Sequence, residues 1–290
     1  MTEAQKQRFR KTVLDFYKQE GRHTLPWRVG DSGISKSEQA YRILVSEAML
    51  QQTQVARVVP YYLRWFLKFG TKEVLANASL AEVLILWQGL GYNKRAKALW
   101  ETAKIICNER GGVIPTTRIE LLKLPGIGRY TAGAICVFAY NQKEVLVETN
   151  IRTVVIYHFF TEISRSSKKT QGASSEKIGD EAIETILKEV QPHKNFREWN
   201  WALMDYGAYL KREGNRTNEL VKGYAKQSAF KGSSREVRGA IIRALSKVPC
   251  TKETLKRQFK KERYPQVLFQ LQKLQAEGLI AIQGKTYKLP

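Results

Sequence analysis

Residues that bind metals or form disulfides are scarce in this sequence. Among 290 residues there are three cysteines and three histidines. The cysteines are Cys107, Cys136 and Cys250, and the histidines are His23, His158 and His193. No two of them have the spacing of a metal clip, and three scattered thiols do not make a disulfide framework. We therefore expect free thiols and no metal site.

Long apolar runs are also missing. No stretch approaches the roughly 18 consecutive apolar residues that cross a membrane. The N-terminal residues are charged throughout, unlike those of a secretory signal peptide, and they are expected to form a helix. These absences predict an intracellular, cytoplasmic protein without a membrane partner.

Acidic residues are too few to balance the basic ones. Lysine and arginine number 49 against 27 aspartates and glutamates, which leaves a net charge of +22 and a pI near 9.9. Such an excess is typical of proteins that bind a polyanion, because neutralised phosphates release their condensed counterions. A membrane surface would attract the same charge, but no strongly amphipathic basic helix is visible. The charge therefore favours a nucleic acid as partner.

Apolar residues recur at three- and four-residue spacing over most of the chain, which predicts an all-α fold. The predicted helices cover residues 3–20, 38–50, 53–70, 79–88, 92–110, 117–123, 129–140, 176–190 and 195–212. Residues 145–160 are rich in β-branched side chains and fit a strand or a helix. The polar segment Ser164–Lys177 is expected to be a surface loop. A first domain would span residues 1–230.

The last sixty residues differ in character and predict a second domain, residues 231–290. They hold 14 basic and 4 acidic residues, or +10 of the total charge. Helices are expected at 234–246, 251–260 and 264–277, followed by two short strands around a Gly-Lys turn. Three helices and a β-hairpin make a winged helix-turn-helix, which docks in a DNA groove or contacts protein. A dimerisation module and a lid on the first domain are the alternatives.

The segment Leu124–Ile135, with the sequence LPGIGRYTAGAI, is the most informative local pattern. Pro-Gly-x-Gly before a helix start is typical of a helix-hairpin-helix element. Gly126 and Gly128 permit left-handed backbone angles and a close approach to a phosphate. The helix that follows, with Arg129 and Thr131 in its first turn, offers N–H groups to the same phosphate. An ordinary glycine-containing connection is the alternative; a nucleotide-binding loop would need a preceding strand.

Five motifs in register resemble those of the adenine DNA glycosylase (MutY) family, within the helix-hairpin-helix base-excision glycosylases. They cover about residues 20–210 and read LPWR at 25–28, SEAMLQQTQV at 46–55, LWQGLGY at 86–92, LPGIGRYTAGAI at 124–135 and ALMDYGA at 202–208. The resemblance implies a two-lobed helical domain that holds duplex DNA in its cleft, and a nucleoid-associated location. It implies hydrolysis of an N-glycosidic bond after the nucleotide is flipped out of the duplex.

The resemblance also assigns roles to two carboxylates. Glu47 matches the proton donor to the purine ring, so we expect burial that raises its pKa. Glu148 occupies the position of the family's catalytic aspartate, in an element that includes Asn150. Its extra methylene would move the carboxylate by about 1.5 Å unless the backbone compensates, and displacements of about 1 Å cost around a hundredfold in rate.

Further residues match positions that contact DNA or set the reaction type. Gln51 and Gln52 match residues that probe the base opposite the flipped nucleotide and fill the space it leaves in the base stack. Tyr92 matches the wedge residue, which stacks into the duplex beside the opposite purine. Tyr130 stands where strand-nicking members carry the lysine that forms a Schiff base. A monofunctional enzyme is therefore expected. Tyrosine here also occurs in thymine-removing members, whereas the Leu-Gln-Gln-Thr-Gln run favours adenine.

The sequence departs from the pattern of the adenine DNA glycosylase family at two places towards the C-terminus. Residues 209–215, directly after the ALMDYGA motif, contain no cysteine, so the family's iron–sulfur cluster is expected to be absent. Lys211, Arg212 and Arg216 would offer basic contacts to DNA without metal. The usual MutT-like domain that recognises oxidised guanine is replaced by the predicted winged helix. We expect a monomer that removes adenine opposite guanine or 8-oxoguanine. Thymine or uracil removal from guanine mismatches, and DNA binding without catalysis, are the alternatives.

Overall fold

A computed structural model describes residues 1–29, 33–160, 177–215, 217–223 and 229–290. Within these ranges the chain is helical except for three short C-terminal strands and one isolated bridge, which confirms the all-α class. Arg216 and nearly all of the predicted loop at 164–177 lie outside the described residues. No helix in the described ranges has the length and apolar character that a membrane span requires.

The elements are numbered here in chain order. The helices are α1 (Glu3–Glu20), α2 (Lys36–Leu50), α3 (Val55–Lys68), α4 (Lys72–Asn77), α5 (Leu80–Trp87), α6 (Lys94–Glu109), α7 (Arg118–Leu121), α8 (Arg129–Phe138), α9 (Thr149–Phe159), α10 (Asp180–Val190), α11 (Phe196–Arg212), α12 (Ser234–Leu245), α13 (Lys252–Lys256) and α14 (Tyr264–Ala276). The strands are β1 (Cys250–Thr251), β2 (Ala281–Gln283) and β3 (Thr286–Lys288), and 3₁₀ turns cover Thr217–Leu220 and Lys261–Arg263.

The chain divides into two compact units. Unit 1 comprises residues 1–32, 116–119 and 128–226, and unit 2 comprises 33–115, 120–127 and 227–290. In unit 1, α11 packs closely on α9 and also on α1. Gly207 makes the first approach possible, because a Cβ there would lie 2.1 Å from the backbone oxygen of Asn150. Glycine is therefore required where the two helices meet.

A buried ion pair joins the two ends of unit 1. The guanidinium of Arg28 donates to both carboxylate oxygens of Asp205, at 2.7 and 2.9 Å. The backbone N–H of Arg22 donates to the same carboxylate at 2.8 Å, and its Nε at 2.7 Å. Burial acts to raise the pKa of Asp205, but the hydrogen bonds and charges of Arg28 and Arg22 outweigh it and hold that pKa below its usual value.

Replacement of this carboxylate should destabilise the fold. Since Arg28 and Asp205 have side chains only 4% and 2% exposed, Asp205→Asn leaves a buried guanidinium without its counter-ion, at a cost of about 3–5 kcal/mol. The folded-state pKa of Asp205 is lowered, so its stabilisation is present at neutral pH and is lost as the pH falls through that pKa. Urea unfolding at neutral and acidic pH measures both effects. Asp15→Asn, in an exposed pair with Lys11, is the matched control and should change little; equal stability of the two variants would contradict the prediction.

In unit 2, aromatic side chains fill the space between α2, α3 and α5. Trp65 and Trp87 meet edge to face, 5.7 Å apart, and both are fully buried. The indole N–H of Trp65 donates to the hydroxyl of Tyr41 at 3.1 Å, and that hydroxyl donates to the backbone oxygen of Phe69 at 2.9 Å. These hydrogen bonds satisfy the buried polar atoms. They link α2 to α3 and to the residue that ends α3, Phe69.

The C-terminal part of unit 2 contains α12, α13 and α14 and a three-stranded antiparallel sheet in the order β1-β3-β2. Tyr287 of β3 pairs with Cys250 on one side and with Ile282 on the other. The apolar faces of the helices are buried on one another through Val237, Ile241 and Leu271. The predicted elements are present, and β1 is an addition. Their interpretation as a winged helix-turn-helix stays a prediction.

Three segments differ from the sequence-based expectations. Residues 145–160, open between strand and helix, form α9 from Thr149 because Glu148 caps its first turn. The short helix α4 was not predicted; Thr71 caps it. The second C-terminal helix ends at Lys256 instead of residue 260.

Candidate active site

Glu47 lies near the C-terminal end of α2. The helix begins after Ser35, whose side chain accepts from the backbone N–H of Glu38, and it ends at Leu50. Glu47 is 8% exposed, and its neighbours Val45, Ala48 and Met49 are buried as well. Burial of the carboxyl group is what the role of a proton donor requires. Its catalytic role stays a prediction.

Two residues predicted to read DNA have strained backbones. Gln52, just after α2, has φ of 57°, and Tyr92, just before α6, has φ of 50°. The other non-glycine residues with positive φ in the described ranges are Asn141 and Asn195, a residue type that tolerates this conformation. Strain of this kind costs about 1–3 kcal/mol and clusters at functional sites. The strain therefore supports a functional reading of both turns.

Arg95 of α6 holds these two turns together, and the sequence analysis did not identify it. Its guanidinium donates to five backbone oxygens, those of Ala48 (2.7 Å), Met49 (3.1 Å), Gln51 (2.7 Å), Leu90 (3.1 Å) and Gly91 (3.1 Å). Burial lowers its pKa to about 10. It also lies against the Tyr92 ring, 5.3 Å from the centroid. Arg95 is a positioning residue, since it sets the backbone that carries Gln51, Gln52 and Tyr92.

Arg95→Lys should disconnect the turns while keeping the charge. One ammonium cannot reach both sets of oxygens, and each buried acceptor left without a donor costs about 1–3 kcal/mol. We expect a fall of that size in the free energy of unfolding. Loss of turn geometry should slow the base excision that the motifs predict by up to about a hundredfold. Arg110→Lys, which alters an ion pair at the opposite end of α6, is the control. Normal stability and normal activity of Arg95→Lys would contradict the assignment.

Only one glycine of the predicted hairpin has a left-handed backbone. Gly126 has φ of +72°, and a Cβ there would lie 2.6 Å from the Cβ of Ala98 in α6. Gly128 has φ of −90° and ψ of 179°, an extended conformation open to any residue, so the left-handed prediction for it was wrong. Gly128 is exposed and a Cβ would meet nothing within 4 Å.

The helix after the hairpin, α8, begins at Arg129 without a side-chain cap. Gly128 is its N-cap and supplies no side-chain acceptor to the first turn. Arg129 is exposed, whereas the side chain of Thr131 is only 5% exposed. The predicted contact of this turn with DNA is made by backbone N–H groups, and it stays a prediction for Arg129 and Thr131. Tyr130 is half-buried in the same turn.

Glu148 is the N-cap of α9. One of its carboxylate oxygens accepts from the backbone N–H groups of Asn150 and Ile151, both at 2.8 Å, and the other accepts from the side-chain amide of Asn150 at 3.2 Å. Burial raises the pKa of Glu148 above its ordinary value, although these backbone hydrogen bonds and Lys211 oppose it. The carboxylate is fixed at both oxygens despite its longer side chain.

Lys211 and Arg212 lie at the end of α11. The ammonium of Lys211 donates to the side-chain oxygen of Asn150 at 3.2 Å, which brings Glu148, Asn150 and Lys211 together. Arg212 is exposed, with its guanidinium 5.5 Å from the Tyr209 ring centroid. Unit 1 thus groups a carboxylate, an amide and two cations at the ends of α9 and α11.

A family comparison agrees with this geometry. Residues 45–180 match the HhH-GPD superfamily of base excision DNA repair proteins. The match contains the buried Glu47, the hairpin, Tyr130 and the capped carboxylate of Glu148.

Relatives of this chain include adenine DNA glycosylases. The enzyme of Buchnera aphidicola subsp. Baizongia pistaciae is 34% identical over 207 residues, which cover 71% of this chain and 54% of the relative. The Rattus norvegicus enzyme is 47% identical over 149 residues, which cover 51% of this chain and 29% of the relative. The chain therefore spans about half or less of these relatives. The resemblance expected from the motifs is confirmed.

The fold of this chain also matches a solved structure. A thermostable thymine-DNA glycosylase superposes with a TM-score of 0.58 at 25% identity, over 75% of this chain and 95% of that one. The helix-hairpin-helix glycosylase fold is confirmed by this match. Lys211, Arg212 and the C-terminal region lie beyond the residues matched by the family.

The segment directly after α11 does not fit an iron–sulfur cluster. The three cysteines lie on α6, α8 and β1, and residues 213–249 contain none. The segment after α11 is held by hydrogen bonds instead. Asn218 donates to the hydroxyl of Thr153 at 2.7 Å, and Val221 bridges to Ile178. In the part of the chain that the structure describes, no cluster of three or more histidine, cysteine, aspartate or glutamate residues has the placement of a metal site.

Proposed function

We propose that the protein is a monofunctional DNA glycosylase of base excision repair that removes adenine opposite guanine or 8-oxoguanine from duplex DNA. The proposal depends above all on the burial of Glu47 at the end of α2, within a motif that resembles that of adenine DNA glycosylases. Similarity to the two adenine DNA glycosylases supports the choice of base. The net charge of +22 supports the choice of DNA.

The two carboxyl groups would have different roles in breaking the N-glycosidic bond: Glu47 would act on the base and Glu148 on the sugar. Glu47 in its protonated form would donate its proton to the purine, so that the bonding electron pair leaves with the base. Glu148 in its ionised form would stabilise the oxocarbenium-like sugar, as the second carboxylate does in sugar hydrolysis. Its fixation by two backbone N–H groups supports this role, because a preorganised anion needs no rearrangement during the reaction.

Water would then bond to the sugar carbon, and its proton would pass to solvent or to the ionised Glu47 carboxylate. Tyr130 carries no amine, so no Schiff base forms at this position and the DNA strand stays intact. We further propose that the enzyme is a monomer and works without an iron–sulfur cluster; its cysteine placement and the hydrogen-bonded segment after α11 support the second point. Sedimentation and iron analysis of the purified protein test these two statements.

A panel of labelled duplexes tests the activity. Duplexes with A:8-oxoG, A:G, T:G, U:G and hypoxanthine:T are incubated with the protein and then treated with alkali. Cleavage only after alkali, on the two adenine duplexes, is expected. Cleavage before alkali would refute the monofunctional assignment. Absence of cleavage on every duplex would favour a DNA-binding protein without catalysis.

Removal of thymine or uracil from guanine mismatches is the second candidate. The fold match to a thermostable thymine-DNA glycosylase and the tyrosine at position 130 favour it. Cleavage of the T:G or U:G duplex in preference to the adenine duplexes would establish it.

A further inference from the structure

A cavity of about 330 Å³ lies between the strained turns and the start of α12, all within unit 2. Gln51, Gln52 and Tyr92 form one wall, and Ser234, Arg235 and Arg238 form the other. Its volume is at the lower end of the range of pockets that hold small organic groups. The residues predicted to read the base opposite the excised nucleotide thus face the C-terminal region.

Glu277, at the end of α14, fixes the C-terminal region beside this cavity. Its carboxylate pairs with Lys94 at 3.1 Å and with Arg238 at 3.3 Å, and its backbone oxygen accepts from Lys97 at 2.7 Å. Burial opposes ionisation of Glu277, but Arg238 and Lys94 outweigh it and keep the pKa below its usual value. Residues of α6 and α12 are therefore joined through one carboxylate at the rim of the cavity.

Arg235 projects from the first turn of α12 towards the wedge residue. Its guanidinium carbon lies 5.6 Å from the centroid of the Tyr92 ring, within the range of a cation–π contact. One of its amino groups donates to the backbone oxygen of Ala229 at 3.4 Å. A planar guanidinium, an aromatic ring and the amide of Gln52 line one space. These are the groups that stack on a nucleobase and hydrogen-bond its edge.

We propose that Arg235 is a specificity-determining residue for the base opposite the excised nucleotide. It selects guanine, whose O6 and N7 are both acceptors, over 8-oxoguanine, whose N7 carries a proton. An arginine fork matches these two atoms of guanine, whereas adenine presents a donor at the corresponding exocyclic position. The cavity receives the base next to Tyr92 and Gln52. This inference rests on the proposed function for the location of the DNA, and it adds a contribution from the C-terminal region.

A binding experiment tests the inference independently of catalysis. Duplexes carry a tetrahydrofuran abasic analogue opposite guanine or opposite 7-deazaguanine, which lacks only the N7 acceptor. Dissociation constants are measured at one fixed salt concentration. The wild-type protein should bind the guanine duplex roughly 5- to 100-fold more tightly, the discrimination of one bidentate contact. Arg235→Ala should bring this ratio close to one.

Matched variants separate recognition from charge and folding. Arg235→Lys keeps the charge but not the fork, so the preference should be lost while most of the affinity remains. Arg257→Ala removes an exposed arginine that lines neither this cavity nor the turns. This variant should weaken binding to both duplexes equally and leave the ratio of their dissociation constants unchanged. Far-ultraviolet circular dichroism confirms that each variant is folded.

The outcomes distinguish the two proposals. A ratio near one in the wild-type protein, or an unchanged ratio in Arg235→Ala, overturns the role of Arg235. If the wild-type protein releases no base from any duplex but its binding preference depends on Arg235, the inference stands and the proposed activity fails. If adenine is released but Arg235 does not affect the preference, the activity stands and the inference fails.

Discussion

Glu47→Gln should abolish base release and leave duplex binding largely intact. The amide has nearly the same volume as the carboxyl group, so the packing at the end of α2 is retained, but it has no acidic proton to transfer. A positioned general acid contributes roughly a hundred- to ten-thousandfold in rate. We therefore expect a loss in that range in single-turnover measurements on the A:G duplex. Affinity for the same duplex at fixed salt should stay near that of the wild-type protein.

A second glutamate on the same helix provides the control. Glu38, in the first turn of α2, is partly exposed and lies 3.6 Å from Arg42. Glu38→Gln makes the same chemical change without touching the proposed site, and it should release base at the wild-type rate. Wild-type activity in Glu47→Gln would show that the proton comes from another group.

Glu148→Gln should lose activity, and Glu148→Asp should keep most of it. The glutamine retains an oxygen that caps α9 but removes the negative charge that would stabilise the cationic sugar. A single preorganised electrostatic contact is worth about a hundred- to a thousandfold in rate. Aspartate keeps the charge and is a good N-cap residue. Single-turnover rates of the two variants measure the difference, and equal rates would argue that only the cap matters.

The raised pKa of Glu148 also predicts how the stability of the protein changes with pH. Burial raises that pKa in the folded protein, so the folded state holds the proton more tightly than the unfolded state. The free energy of unfolding therefore decreases as the pH rises from the ordinary pKa to the raised one. At neutral pH, Glu148→Gln should be as stable as the wild-type protein or more stable, while it is less active. Wild-type base release should fall as the pH drops through the raised pKa.

Much of the fold is predictable because local signals and burial agree. The helix predicted at 79–88 is present as α5, and Ser79 and Glu82 form a capping box at its start with both hydrogen bonds in place. The segment at 145–160 stayed ambiguous because β-branched residues suit strands and buried helices alike. Its helical state depends on the cap at Glu148, which the resemblance presented only as a catalytic position.

The motifs predicted which residues belong to the site, but not the contacts between the motifs. Arg28 and Asp205 belong to motifs 177 residues apart, and only the structure pairs them. Gly207 is needed because of the backbone of Asn150, a contact between helices that no local pattern encodes. Arg95 was indistinguishable in sequence from the many basic residues that contribute to the net charge.

The five hydrogen bonds of Arg95 connect segments about forty residues apart in the chain. If either turn opened, the Arg95 guanidinium would lose acceptors, and its hold on the other turn would weaken. The two turns should therefore open in a single cooperative step. Native-state hydrogen exchange should then report one shared protection free energy for amides near residues 51 and 91. An inserted residue in either turn would move backbone oxygens away from the Arg95 guanidinium. We therefore expect that neither turn can change in length without loss of these hydrogen bonds.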